Sequence, residues 1–212
     1  DDSKHIWFNA LTEGLQAIYV TNLEGNVVRK TDDNLWYDFT TPFFIDRTDG
    51  REILYTTWQS MDFPTEIVAF NTATQTGTKV TDENGHILSQ LKEHKTEARM
   101  VKTVDGKDML TWVLYPPEFD PSKKWPAIEI CLGGPQGTLS QGWSYRWNYR
   151  LMCSQGYVVV LPNRRGTTAF GQEWCEQISG DYCGLNIQDY LSAARELKAE
   201  PYIGKMAACG AS

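Results

Sequence analysis

The chain has 212 residues, of which 41% are hydrophobic and 22% are charged, a composition typical of globular rather than disordered proteins. Its formal net charge of −7 argues against nucleic acid as a partner, because phosphate binding requires a basic surface. No apolar run approaches the roughly 18 residues of a transmembrane helix, so we expect no membrane span. The length allows one or two domains.

Residues 1–95 are short apolar runs separated by turn residues, a pattern that predicts β-strands without helices. The runs, rich in β-branched and aromatic residues, cover 6–8, 17–20, 53–58 and 67–70. The second pair of runs repeats the first pair at a spacing of between 40 and 50 residues, which is typical of β-propeller blades. Two blades do not close a ring, so we expect a longer propeller; a small β-sandwich is the alternative.

From about residue 96 strands and helices alternate. Two runs at 98–104 and 109–115 flank Asp105-Gly106 and predict a β-hairpin. Further strands are expected at 125–132, 156–162 and 206–209, with helices over 146–155 and 186–199. This order predicts an α/β sheet with crossover connections.

The second helix has an apolar stripe of Ile187, Tyr190, Leu191, Ala194 and Leu197, which we expect to face the core. Asn186 or Asp189 is a candidate for its N-cap.

The cysteines and the aromatic residues are interpreted as structural. Five cysteines without CxxC spacing predict free thiols, with Cys131 and Cys209 buried in strands. No metal or other cofactor is predicted. We expect core packing, with a substrate-facing role as the alternative, for Trp143, Tyr145, Trp147 and Tyr149. For Arg164-Arg165 we favour structural pairing with acidic neighbours over contact with a substrate.

The sequence ends on an apolar run followed by Gly210-Ala211-Ser212. Gly-x-Ser is the first part of Gly-x-Ser-x-Gly, the turn that exposes a nucleophilic serine above an α/β sheet. Four segments in order closely resemble the prolyl oligopeptidase family of serine peptidases, particularly bacterial members of its dipeptidyl-peptidase and acylaminoacyl-peptidase branches. They are residues 133–135, 156–166, 180–184 and 210–212.

The resemblance implies a fold for each half. It is dense over 96–212, which would be the N-terminal half of an α/β-hydrolase catalytic domain with a mostly parallel sheet and flanking helices. It is looser over 1–95, which would be the last blades of a β-propeller. We expect the sequence to be a fragment of a longer protein, and we expect this fragment to end at the nucleophile.

The resemblance also implies roles for residues. Ser212 would be the nucleophile, Gly134 would donate its backbone N–H to the oxyanion, and Gly133 would support the tight turn of that loop. The second oxyanion donor, the N–H of the residue after Ser212, is expected outside this sequence. Leu132 stands where the family usually has His or Tyr, so it offers no side-chain donor. Tyr182-Cys183 replaces the usual Trp-Gly.

The base and its orienting acid are expected outside this sequence. The α/β-hydrolase order is Ser, Asp, His. All three histidines, His5, His86 and His94, lie in or near the first half, and we interpret them as surface residues.

The implied activity is cleavage of short peptides through an acyl-enzyme, with removal of N-terminal dipeptides as first choice. Acylaminoacyl-peptidase or oligopeptidase activity, and a non-catalytic binding module, are the alternatives. The expected partners are short peptides and the remainder of the protein's own chain, which would carry Asp and His; a homo-oligomer is left open. The resemblance favours a periplasmic or secreted location, and a cytoplasmic one stays open.

Overall fold

The structure is a computed structural model and describes residues 3–212. The chain forms two compact units. The first contains residues up to Leu91 together with Ser140–Tyr145, and the second contains Lys92–Leu139 and Arg146–Ser212. Within the first unit, the Ser140 hydroxyl donates a hydrogen bond to Asp38 Oδ2 over 2.6 Å, which ties the later segment to the earlier one.

The first unit contains two antiparallel sheets. One has the order β1-β2-β3 and consists of β1 (His5–Thr12), β2 (Leu15–Asn22) and β3 (Val27–Arg29). The other consists of β4 (Asp38–Phe39), β5 (Phe44–Asp46), β6 (Ile53–Ser60), β7 (Phe63–Asn71) and β8 (Thr76–Lys79). Its order is β4-β6-β7-β8, with β5 paired to β6. The three strands β6, β7 and β8 therefore repeat the antiparallel arrangement of β1, β2 and β3.

One expectation for this unit is wrong, because it contains a short helix. This helix, α1 (Gly85–Leu88), forms where only a turn was expected. The carbonyl of Asn84 accepts hydrogen bonds from the N–H groups of Ile87 and Leu88, so the Asn84-Gly85 turn continues into one helical turn. The core of the unit is aromatic and aliphatic and is formed by Ile18, Phe39, Leu54, Trp58, Val68 and Phe70.

The second unit is built on one mixed sheet with the order β13-β11-β12-β10-β9. Its strands are β9 (Lys95–Lys102), β10 (Asp108–Tyr115), β11 (Trp125–Cys131), β12 (Val158–Pro162) and β13 (Ile203–Gly210). β9 and β10 form the antiparallel hairpin predicted around Asp105-Gly106. β11 is parallel to both β12 and β13, whereas β10 is antiparallel to β12.

Three helices accompany this sheet: α2 (Tyr149–Ser154), α3 (Gln172–Glu176) and α4 (Leu185–Ala199). The sequence predicted α2 and α4 but not α3, whose Trp174 is buried in the core of the unit. Every residue of β12 is buried, as expected for a strand at the centre of a sheet. None of the helices in residues 3–212 combines the length and apolar character that a membrane crossing requires.

The predicted apolar stripe of α4 is only partly buried. Tyr190 and Leu197 face the core, but Ile187 and Leu191 are each 40% exposed. Their side of the helix lies over β13, the edge strand, and borders an open groove of about 810 Å³. The exposure of β13 also leaves Cys209 exposed and Cys131 half-buried, so their predicted burial is wrong. None of the five cysteines forms a disulfide within the described residues.

The predicted cap of α4 is also wrong. Asn186 and Asp189 lie inside the helix rather than before it. The carboxylate of Asp181 accepts a hydrogen bond from the Leu185 N–H over 3.2 Å, so it binds a backbone donor at the first residue of the helix. Asp189 instead points to Arg165.

Candidate active site

The candidate site residues follow three neighbouring strands in the sheet of the second unit. Because β11, β12 and β13 are parallel, their carboxyl ends lie at the same edge of the sheet. Residues 132–135 follow β11, residues 163–166 follow β12, and residues 211–212 follow β13. Ligands of open α/β sheets bind outside the carboxyl ends of the strands, so this edge is where a site is expected.

Gly133 lies directly against the predicted nucleophile. A Cβ atom added to Gly133 would lie 2.5 Å from the carbonyl oxygen of Ala211 and 3.1 Å from Cβ of Ser212. Any larger residue would push the two loops apart. The structure therefore brings Gly133 and Ser212 together, although they are far apart in the sequence.

Ser212 is exposed and has a backbone φ of 83°. This is the left-handed region, which costs a non-glycine residue about 1–3 kcal/mol and which occurs often at functional sites. The serine of a nucleophile elbow sits on such a strained turn.

Gly134 presents a backbone N–H at the same edge. Its φ of 143° is a conformation that L-residues rarely adopt, and an added Cβ would lie 2.9 Å from the Gln136 nitrogen. Within residues 3–212, no backbone carbonyl accepts a hydrogen bond from the Gly134 N–H. Gly134 is an exposed residue, so a ligand can reach it, as the role of oxyanion donor requires.

Leu132 offers the site a backbone carbonyl and an apolar side chain. Its side chain packs toward Gly137, where an added Cβ would lie 3.5 Å from Leu132 Cδ2. Its carbonyl accepts hydrogen bonds from Arg164 Nη2 over 3.0 Å and from the Tyr190 hydroxyl over 3.3 Å. No side-chain donor stands at this position.

Arg165 belongs to a buried ion network. Its Nε lies 3.2 Å from Oδ2 of Asp189, and its Nη2 contacts Oδ1 of Asp105 in the β9–β10 turn. The guanidinium also lies over the ring of Trp174, 5.2 Å from its centroid. Hydrogen bonds from Arg165 and then from Thr103 lower the pKa of Asp105 to about 2. Arg165 thus pairs with two acidic residues, as the sequence predicts.

Arg164 pairs differently, in a way that sequence reasoning missed. Its guanidinium donates to the carbonyls of Leu132 and Pro135, on either side of Gly133-Gly134. Every residue carries a backbone carbonyl, so no signal in the sequence marks these two as acceptors.

His94, the histidine of the second unit, lies away from this edge. His94 precedes β9, which lies four strand spacings from β13, or about 19 Å at about 4.8 Å per spacing. His5 and His86 belong to the first unit. Within the described residues, no three side chains of His, Cys, Asp or Glu are grouped so as to hold a metal ion.

The aromatic segment is not a strand, and Trp143, Trp147 and Tyr149 are half-buried. Trp143 and Tyr145 lie in a loop of the first unit with their rings edge to face, 5.8 Å apart. Tyr145 is 81% exposed, so the expectation of core packing is wrong for it. Tyr149 begins α2, and Trp147 lies just before it.

Comparison with known proteins gives a consistent result. Residues 143–212 match the prolyl oligopeptidase family. The chain is 43% identical over its whole length to dipeptidyl-peptidase 5 of Porphyromonas gingivalis and covers 30% of that protein. It is 45% identical, over 93% of its length, to dipeptidyl-peptidase 5 of Porphyromonas endodontalis and covers 28% of it.

Solved structures share the fold. An acylaminoacyl peptidase of Pyrococcus horikoshii superposes with a TM-score of 0.76 at 23% identity, over 98% of this chain and 32% of its own. Dipeptidyl peptidase 4 of Porphyromonas gingivalis superposes with a TM-score of 0.69 at 22% identity, over 99% of this chain and 30% of its own. The chain thus spans about 30% of the length of the curated relatives it matches. Its residues 143–212 belong to the prolyl oligopeptidase family.

Proposed function

We propose that the protein is a serine peptidase that cleaves short peptides through an acyl-enzyme, with Ser212 as the nucleophile. The observation that carries this proposal is the contact of Gly133 with the Ala211-Ser212 turn, which puts the loop after β11 beside the serine. Ser212 attacks the scissile carbonyl, the amine product leaves, and water releases the acyl group. The Gly134 N–H stabilises the oxyanion, as one of at least two donors.

Residues 96–212 are, in this proposal, the N-terminal half of an α/β-hydrolase domain, and residues 1–95 are the last blades of a β-propeller. The parallel β12-β11-β13 arrangement and the repeated antiparallel strands of the first unit support these two assignments. The likeness to solved structures of the family supports them as well.

The general base and its orienting acid come from the rest of the protein. The curated relatives are much longer than the matched region, so they have ample length for an Asp and a His. The same remainder would cover the groove beside β13, where α4 exposes Ile187 and Leu191. An uncovered edge strand with an apolar flank is a hazard that proteins avoid.

Removal of N-terminal dipeptides is the proposed specificity. Two relatives at 43% and 45% identity carry the name dipeptidyl-peptidase 5. The acylaminoacyl peptidase shares the fold at 23% identity, which does not bear on the substrate.

The proposal is tested with full-length protein and three matched substrates that share one cleaved bond. They are a dipeptide with a free N-terminus, the same dipeptide acetylated, and an acetylated single amino acid, each joined to a chromogenic amine. We expect hydrolysis of the free dipeptide only. Cleavage of the acetylated amino acid would assign acylaminoacyl-peptidase activity instead, and no cleavage of any substrate would favour a binding module.

The catalytic residue is tested by Ser212→Ala. We expect kcat to fall by about 10⁶-fold, as for loss of a nucleophile in other serine peptidases. Ser122→Ala, at an exposed serine whose hydroxyl donates to Asp120, is the matched control and retains activity. Equal activity in both variants would overturn the assignment of Ser212.

A further inference from the structure

We infer that Arg164 is a positioning residue that holds the oxyanion loop, here defined as residues 132–135, in the conformation that aims the Gly134 N–H. The inference rests on the proposed function and names a residue to which the comparisons assign no role. Arg164 lies in the loop after β12, next to the oxyanion loop after β11 at the same edge of the sheet.

The contacts of Arg164 bracket the two glycines. Its Nη1 donates to the carbonyl of Pro135 over 2.8 Å, and its Nη2 donates to the carbonyl of Leu132 over 3.0 Å. One guanidinium therefore fixes the peptide group before Gly133 and the peptide group after Pro135. The segment between these two anchors contains the Gly134 N–H.

Arg164 is itself held in place. Its Nε donates to the Tyr190 hydroxyl over 3.1 Å, and Nη1 also donates to the carbonyl of Arg165 over 2.8 Å. The Tyr190 hydroxyl in turn reaches the Leu132 carbonyl over 3.3 Å. Two side chains, one from α4 and one from the loop after β12, thus converge on one end of the oxyanion loop.

The burial of Arg164 indicates that these contacts are its main function. The residue is 2% exposed, and within residues 3–212 no carboxylate forms an ion pair with it. Arginine is almost never fully buried unless it is paired, because its charge loses the solvation of water. The partners that replace water here are three carbonyl oxygens, two of them in the oxyanion loop, and the Tyr190 hydroxyl. Arg165, next in sequence, has the carboxylates of Asp105 and Asp189 instead.

A lysine would not replace this arrangement. The guanidinium presents donors in a planar fork, which reaches two separate carbonyls at once, whereas an ammonium is a single point. Gly134 is a glycine and can adopt many backbone conformations, so anchors on either side of it restrict the directions in which its N–H can point. A buried cation in contact with the loop also favours negative charge that develops beside the loop.

The experiment uses full-length protein with Arg164→Gln and Arg164→Lys. If Arg164 positions the donor, both variants lower kcat by about 10²-fold, the size of effect expected for a misplaced or lost oxyanion donor, while KM stays within about threefold. Affinity for a peptide boronic acid, which forms a tetrahedral adduct, falls in parallel with kcat. Affinity for the dipeptide product, which forms no oxyanion, is unchanged. Arg51→Gln, at an arginine whose side chain is 65% exposed, is the matched control.

A second variant keeps the test valid if Arg164→Gln does not fold. Tyr190→Phe removes the hydroxyl that holds Nε but leaves the guanidinium, so we expect a smaller fall in kcat and boronate affinity with the same direction. Added guanidinium ion at millimolar concentration restores part of kcat in Arg164→Ala but not in Ser212→Ala.

The outcomes separate this inference from the proposed function. Wild-type kcat and boronate affinity in folded Arg164→Gln, with Ser212→Ala inactive, would overturn the role of Arg164 alone. Loss of activity that matches a loss of folded protein, with kcat per folded site unchanged, would also overturn it. Full activity in Ser212→Ala would overturn the proposed function regardless of Arg164.

Discussion

Arg165 and Asp189 form an ion pair in the interior of the second unit, with Nε 3.2 Å from Oδ2 and with side chains that are 1% and 0% exposed. The Asp189 carboxylate also accepts from the Arg165 N–H over 2.9 Å. The pair joins the loop after β12 to α4. Because both charges are buried, each depends on the other for stabilisation.

Removal of one partner should therefore be costly. We predict that Arg165→Met lowers the free energy of unfolding by about 3–5 kcal/mol, because it leaves the Asp189 carboxylate buried without its cation. Lys102→Ala, which breaks the exposed Lys102–Asp108 pair, should cost less than about 1 kcal/mol. Urea unfolding of the full-length variants measures both. The double variant Arg165→Met/Asp189→Leu should recover part of the loss, and equal costs for the buried and exposed pairs would contradict the prediction.

The contact between Gly133 and the nucleophile turn predicts a difference between two glycines of one loop region. Gly133→Ala places a Cβ 2.5 Å from the Ala211 carbonyl oxygen, so the loop or Ser212 must shift and kcat should fall by about 10²-fold. At Gly137 an added Cβ is 3.5 Å from its nearest neighbour, an ordinary contact. Gly137→Ala should therefore keep most of the activity. Steady-state kinetics on the free dipeptide substrate compares them, and equal effects would count against the proposed geometry.

Glu129 predicts a dependence of stability on pH. It is 3% exposed on β11, and burial raises its pKa from 4.5 to about 8. Between these two values the unfolded chain releases the proton and the folded chain keeps it, so the free energy of unfolding falls as pH rises. Arg195 and Lys198 of α4 and Cys131 of β11 line the same groove.

Glu129→Gln removes the titrating group and should flatten this part of the stability curve. Thermal unfolding at pH 5, 6, 7 and 8 in constant salt compares it with wild type. Glu24→Gln, at an exposed position, should leave the slope as it is. A wild-type slope that Glu129→Gln does not change would show that Glu129 ionises normally in the folded protein.

Local patterns predicted the strands of the second unit. The apolar run before Pro162 became the fully buried β12, and Asp105-Gly106 became the turn of the β9–β10 hairpin. These predictions succeeded because strand and turn formation depend mainly on neighbouring residues. The short α3 was missed because it has only five residues, too few for a helical period to appear.

The interactions that assemble the candidate site depend on residues far apart in the chain. The position of Asp189 near the start of α4 predicts a cap, yet its partner is Arg165 on another segment. The two acceptors of Arg164 are backbone carbonyls, which no residue type marks. Ile187 and Leu191 fit an apolar stripe, but the stripe alone does not tell which element covers it.

We propose that Ser212 is an activated nucleophile, and labelling of the full-length protein with a fluorophosphonate probe is the measurement that decides it. Peptide mapping by mass spectrometry then locates the label. We expect one phosphonylated site, at Ser212, and no labelling of Ser212→Ala. A protein that hydrolyses the dipeptide substrate but carries the label on a different serine would contradict it.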